Sequence, residues 1–171
     1  MNPLYDVHSI IRVNQAGEYG AKRIYEGQLR VLKNTPSAPV IEEMYIQELD
    51  HLQTFDDLMI QDHVRPTLFQ PLWHVGAYLL GAGTALLGEK AAMACTAAVE
   101  EVIDEHYQDQ IASLGTDHPA LSQVIEKFRE DECHHRDTAY DHGARQAPAY
   151  PILSGMIKTT TRLAIALSKR I

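Results

Sequence analysis

Apolar residues recur along this chain at intervals of three and four, and proline and glycine interrupt them. That period belongs to amphipathic helices; a half-buried strand would alternate at every second residue. Pro36 and Pro39 separate a first helix, over about residues 7–33, from a second over about 39–62. Pro66 and Pro71 open a third segment. Gly88 precedes a helix ending near Gly115, and the run from Thr116 to Pro119 starts another that reaches about Gly143. Pro148 and Pro151 introduce a last helix of roughly 18 residues. With few β-branched runs and no alternating stretch, the chain reads as all-α.

Two of these helices carry ionisable residues on their apolar stripes. In the second, Ile41, Met44, Leu52, Phe55 and Met59 form the stripe; Glu48 follows Met44 by four and His51 precedes Phe55 by four. In the fifth, Leu121, Val124, Ile125 and Phe128 set the inner face, and Glu132 and His135 follow Phe128 by four and seven. His134 points roughly 100° away, which favours His135 over its neighbour, and Asp131 falls near the edge of the face. Polar groups on a buried stripe are costly unless something neutralises them.

These pairs are halves of a repeat. Glu18 precedes the motif Glu48-x-x-His51, and Glu100 precedes Glu132-x-x-His135, at intervals that differ by only two residues. Glu100 lies seven after Met93 and seven before Tyr107, so it holds the core phase that the adjacent Glu101 lacks. Helical rise puts Glu18 about 22 Å and Glu48 about 17 Å from the turn between them; Glu100 and Glu132 lie about 22 and 20 Å from theirs. Each hairpin therefore brings its glutamate and its Glu-x-x-His to similar depths. A single Glu-x-x-His is ordinarily structural or exposed, and buried Glu and His also form metal-free core networks. Two in-phase copies, each with an upstream Glu, make the ligand set of a carboxylate-bridged dinuclear site in a ferritin-like bundle. Without cations four converging carboxylates would repel and hold protons. Either Glu48 or Glu132 could bridge.

Composition narrows the partners. At 171 residues and 45% hydrophobic, the chain supports one core, read as a single ferritin-like di-iron domain over residues 1–171. A formal charge of −8, with no basic run to offset it, argues against nucleic acid. Cys95 and Cys133 stand alone, which argues against a disulfide framework or a zinc or rubredoxin site. Residues 1–8 lack both a signal core and a transit composition, and no G-x-G-x-x-G follows a strand.

From residue 66 to 88 there is no Asp, Glu, Lys or Arg. A membrane span there would put Glu18, Glu48 and His51 on the opposite side from Glu100, Glu132 and His135. The segment is therefore expected to be the long apolar crossover helix of the bundle, with Gly76, Gly81, Gly83 and Gly88 permitting close packing. The last helix, an extra one beyond the four, has no acid and carries Lys158, Arg162, Lys169 and Arg170 beside apolar positions. Together the two suggest peripheral contact with an anionic membrane, although the last helix could equally pack on the bundle or a partner.

The strings IIRVNQAGEYGA at 10–21, RIYEGQ at 23–28, QELDHL at 47–52, GAGTALLG at 81–88, AAMACTAAVEE at 91–101 and APAY at 147–150 resemble the Coq7/Clk-1 demethoxyubiquinone hydroxylases. So do RPT at 65–67 and PLW at 71–73, and the likeness covers nearly the whole chain. It implies a monooxygenase of ubiquinone biosynthesis that uses two iron ions and O2 to hydroxylate the ring of a prenylated demethoxyubiquinol. The ligands it implies are Glu18, Glu48, His51, Glu100, Glu132 and His135; the surroundings of His135 depart locally from the family pattern. His106 and Tyr107 resemble supporting or electron-transfer positions, with a surface histidine and a core aromatic as the plain alternative. Tyr25 is a hydrogen-bond donor to the site or ordinary packing. The resemblance further implies NADH as reductant, directly or through the quinone, and a Coq9-type lipid-binding partner. It places the chain on the cytoplasmic face of a bacterial inner membrane, or on the matrix side of the mitochondrial one. A homo-oligomer is compatible with all of this. The competing reading is a ferritin-like iron-handling protein, either a ferroxidase or a peroxidase; a metal-free membrane-binding or lipid-carrier module is a third.

Overall fold

A computed structural model describes residues 6–170, so the leader reading, which rests on the first residues, falls partly outside it. Among the described residues there are helices and no strands: α1 (Val7–Leu32), α2 (Ala38–Gln61), α3 (Gln70–Leu86), α4 (Glu89–Leu114), α5 (Pro119–Asp141) and α6 (Tyr150–Ser168), with a short 3-10 turn at Ala144–Gln146. Proline occupies the first turn of α2, α3, α5 and α6, where its missing N–H leaves no bond unmade. Gly88 and Gly115 bracket α4 at φ +109° and +54°, conformations that a side chain would strain.

Cross-helix contacts fix the directions. Asn14 meets Gln110 near one end of α1 and Gln28 meets Ala92 near the other, so α1 and α4 are antiparallel. Gln47 meets His135 and His51 meets Asp131, which makes α2 and α5 antiparallel too. The α1–α2 and α4–α5 hairpins thus form a four-helix bundle. The crossover α3 runs back up alongside α1, with Tyr19 beside His74 and Gly27 beside Tyr78.

Two differences from the sequence reading are physical. The crossover is not helical throughout: α3 has 17 residues and is reached through a stretch with turns at 62–69. Of its four glycines, only Gly81 is required by packing, because a Cβ there would overlap the Ile24 backbone of α1. The matching position on α1 is Gly27, whose Cβ would meet the backbone of Tyr78 and Ala82, whereas Gly76 and Gly83 face open space.

Helix α4 is the centre of the molecule. Residues 91–100 are all buried, and the alanines at 91, 92, 94, 97 and 98 let neighbours close in from every side. By contrast α5 buries only Ile125, Phe128, Glu132, His135 and Ala139, a three-four stripe in which two of five members are ionisable. Helix α6 covers α4 and meets α1, tied down by Lys158 on Glu101, by Arg162 at 2.8 Å from Glu105 and by the Trp73 indole donating to Ser168 at 3.0 Å. No described helix is long and apolar enough to cross a membrane.

Candidate metal centre

Six ionisable side chains from four helices converge in the interior. Glu18 comes from α1, Glu48 and His51 from α2, Glu100 from α4, and Glu132 and His135 from α5; none is more than 3% exposed. They fall into two overlapping groups, Glu18, Glu48, His51 and Glu132, and Glu48, Glu100, Glu132 and His135. Within each group one ligand atom per residue lies within 4.8 Å of the others. Glu48 and Glu132 belong to both groups, an arrangement that phase and depth along single helices do not reveal. Glu101 turns outward onto Tyr140 and Lys158, and His134 takes no part in either group.

Both imidazoles present Nδ1 to the centre. His51 Nδ1 lies 3.1 Å from Glu132 Oε1 and 3.7 Å from Glu18 Oε2; His135 Nδ1 lies 3.0 Å from Glu132 Oε2 and 3.2 Å from Glu48 Oε1. The outer nitrogens are held as well, His51 Nε2 by Asp131 Oδ2 at 3.1 Å and His135 Nε2 by Gln47 Oε1 at 2.6 Å. Tyrosines support the outlying glutamates crosswise: Tyr107 of α4 donates to Glu18 of α1, and Tyr25 of α1 donates to Glu100 of α4 at 3.4 Å. Gln47 was missed by the sequence reading, and Asp131 was seen only at the edge of its face. The available signal was a polar residue directly before the Glu of both Glu-x-x-His motifs.

Protons carry the neutralising charge when no cation is present. Burial drives Glu48 and Glu100 well above the usual carboxylate range, and Glu132 nearby adds to both shifts. Burial also pushes Glu132 upward, but hydrogen bonds from His135 and His51 outweigh it and hold that carboxyl at about 2. In His51 burial opposes the charge, and the bond to Glu132 with the nearby Glu18 carboxyl overcomes it, raising the group to about 12. One weakness remains: Glu48 is fully buried, with His135 Nδ1 at 3.2 Å from Oε1 and no well-formed hydrogen bond to either oxygen. Ionised, a buried carboxyl so thinly supported would cost several kcal/mol, which is why it holds a proton when no cation is present. A cation on each side of Glu48 would satisfy it. Four carboxylates and two imidazoles also suit iron or manganese better than the thiol-loving metals. The residues present fit a dinuclear site.

His106 and Tyr107 sit beside this centre in different ways. Tyr107 donates to Glu18, whereas His106 belongs to neither ligand group and lines the chamber beside them. His106 accepts from Gln110 Nε2 at 2.8 Å, and Gln110 exchanges amide hydrogen bonds with Asn14 at 2.9 and 2.7 Å. It is buried, not a surface residue, and burial with Lys169 nearby lowers it to about 3, so it is neutral.

Access is lopsided. Phe55, Phe128, Ile125 and Ile10 seal one end, with His51 stacked on Phe128 at 3.9 Å. On another side, Glu18, Glu48, Glu100 and Glu132 line a small chamber together with Val13, Gly17 and Ile103. Val13, Gly17, Ala21, Val99, Ile103 and Ile165 also line a much larger apolar cavity of about 560 Å³ bounded by α1, α3, α4 and α6.

Residues 5–168 match the sequence profile of the family described as "Ubiquinone biosynthesis protein COQ7". The chain is 54% identical over 171 residues to the 3-demethoxyubiquinol 3-hydroxylase of Rhodospirillum rubrum, covering 99% of this chain and 81% of that protein. It is 52% identical over 169 residues to the human mitochondrial NADPH-dependent 3-demethoxyubiquinone 3-hydroxylase, covering 96% and 78%. Identity to the mitochondrial 5-demethoxyubiquinone hydroxylase of Saccharomyces cerevisiae is 43% over 179 residues, covering 95% and 77%.

Proposed function

The chain belongs to the COQ7 family of ubiquinone biosynthesis proteins, and from that premise we propose that it hydroxylates the ring of a prenylated demethoxyubiquinol with O2 at a di-iron centre. One observation carries the reading: six buried Glu and His side chains that could hold two ions border an apolar cavity large enough for part of a prenylated ring. An iron-storage or ferroxidase role asks for a hydrated ion path at this place, where apolar side chains and small residues stand instead.

Glu18 and His51 would hold one ion, Glu100 and His135 the other, and Glu48 and Glu132 would span both. When bound, the irons supply the activation of O2 that ring hydroxylation needs. The chain does the rest. Asp131 and Gln47 fix the orientation of the two imidazoles, and Tyr107 holds its phenolic proton on Glu18. The aromatic seal of Phe55 and Phe128 excludes water from one end. The cavity between α1, α3, α4 and α6 takes the apolar ring and the first part of the tail, and Gly17, at the junction, lets the ring reach the carboxylates. Reducing electrons come from a reduced nicotinamide dinucleotide. The resemblance implied NADH, and the human relative is named for NADPH.

The surface around this cavity supports a membrane-facing posture. Leu68, Leu72, Leu79, Ile152, Met156 and Leu163 are each more than half exposed, on or beside α3 and α6. Two of the four cations assigned to lipid, Lys158 and Arg162, are instead paired with carboxylates of α4. The reading of peripheral contact therefore rests on this apolar face, which would also receive a Coq9-type lipid-binding partner. The site of action is the inner-membrane surface from which a prenylated quinol is drawn, and nothing in the arrangement opposes a homo-oligomer.

The test is replacement. A host lacking its own hydroxylase accumulates demethoxyubiquinol; expressing this chain should convert it to later intermediates and ubiquinone, followed by mass spectrometry. Continued accumulation with folded, iron-loaded protein refutes the assignment.

A further inference from the structure

The two halves of the centre are built by exchange. Asp131 directly precedes Glu132 on α5, yet its carboxylate holds the outer nitrogen of His51 on α2. Gln47 directly precedes Glu48 on α2, yet its amide holds the outer nitrogen of His135 on α5. The geometry is matched and the chemistry is not: one histidine leans on a carboxylate and the other on a neutral amide.

Resting on the dinuclear reading above, we propose that the two ion positions are unequal by construction. The Glu18–His51 position is the tighter and fills first, with Asp131 as its positioning residue. The Glu100–His135 position, backed by Gln47, is the weaker, and its ion exchanges.

Two independent contacts point the same way. An imidazole that donates its outer N–H to a carboxylate gains basicity at the ligating nitrogen, and a charged acceptor does this more strongly than an amide. The amide contact is shorter, 2.6 against 3.1 Å, but carries no charge. The second contact concerns the glutamates. Tyr107 holds Glu18 Oε1 closely and leaves Oε2 3.7 Å from His51 Nδ1, whereas the Tyr25 hydroxyl reaches Glu100 at a loose 3.4 Å. A ligand already held in place loses less freedom on binding. The side chain of Asp131 is 34% exposed, so water weakens its effect. The difference therefore sits near the lower end of the range for such supporting groups, about tenfold in affinity.

Protein produced under iron depletion is titrated with Mn2+, read by electron paramagnetic resonance and calorimetry. The six-line signal of an isolated ion should rise up to one equivalent and give way to a spin-coupled signal towards two. Asp131→Asn, which keeps the shape and an acceptor, should weaken the first step about tenfold and merge the two steps. Gln47→Glu should merge them from the other side, by strengthening the second step. Two ions entering together in the parent chain, or Asp131→Asn weakening only the second step, overturns the inequality while leaving the dinuclear centre intact. Failure to bind two ions at all overturns the centre itself.

Discussion

Gly17 offers a way to separate the path to the carboxylates from the stability of the bundle. It lies inside α1, directly before Glu18, and a Cβ built on it meets nothing within 4 Å. A helix interior pays for glycine in backbone freedom, so Gly17→Ala should stabilise by about 0.5–1 kcal/mol, and Gly17→Leu by a similar amount. For a chain of this size that is a melting-temperature gain of roughly 1–4 °C. The same residue lines both the carboxylate chamber and the apolar cavity, so a larger side chain fills the place where they meet. Gly17→Leu should therefore lower kcat/KM for demethoxyubiquinol by at least about tenfold, a barrier increase of about 1.4 kcal/mol, with Gly17→Ala in between. Circular dichroism melts, iron content and quinol turnover on the same preparations give the answer. Parental turnover in a stabilised Gly17→Leu variant refutes the cavity as the approach route. Loss of iron along with turnover would mean the substitution acts through Glu18 instead.

Other consequences can be checked the same way. Glu48→Ala or His135→Ala should abolish turnover and lower the iron content measured by mass spectrometry, while His134→Ala should change neither. Gly81→Ala forces α3 off α1 and should cost about 1–3 kcal/mol or more in urea denaturation, whereas Gly83→Ala, in open space, should stabilise by a few tenths to about 1 kcal/mol. His106 stays neutral down to about 3 when folded but takes a proton near 6.5 when unfolded. The unfolded chain therefore binds the extra proton between those values, so this contribution is intact above pH 6.5 and falls away as the pH drops towards 3. Relative to the parent, His106→Gln should gain up to about 2 kcal/mol between pH 7 and pH 5; parallel curves for the two proteins would show that His106 is solvated.

How far the sequence goes differs from feature to feature. Helix boundaries were legible because proline and positive-φ glycine act locally: Pro39, Pro71, Pro119 and Pro151 each fall in a first helical turn, and Gly88 and Gly115 bracket α4. The six converging residues were legible because a 3.6-residue period fixes which side chains share a face, and a hairpin fixes their depth. The choices of His135 over His134 and Glu100 over Glu101 follow from phase alone, and they match the placements found.

What lies between helices has no such local mark. That Glu48 and Glu132 reach both halves of the centre depends on how two hairpins face each other across the bundle. The crosswise support of Tyr107 on Glu18 and Asp131 on His51 joins residues 89 and 80 positions apart, a separation no periodicity encodes. Gly81 and Gly83 look alike in the chain, and only the crossing of α3 over α1 makes one indispensable. Whether Lys158 and Arg162 face lipid or pack on the bundle was open in the sequence, and their pairing with carboxylates appears only once α6 lies against α4. The sequence determined which residues share a helical face, because that is set by geometry within one element. Partnership, access and asymmetry were decided by packing, because each depends on the distance between elements that only the assembled bundle defines.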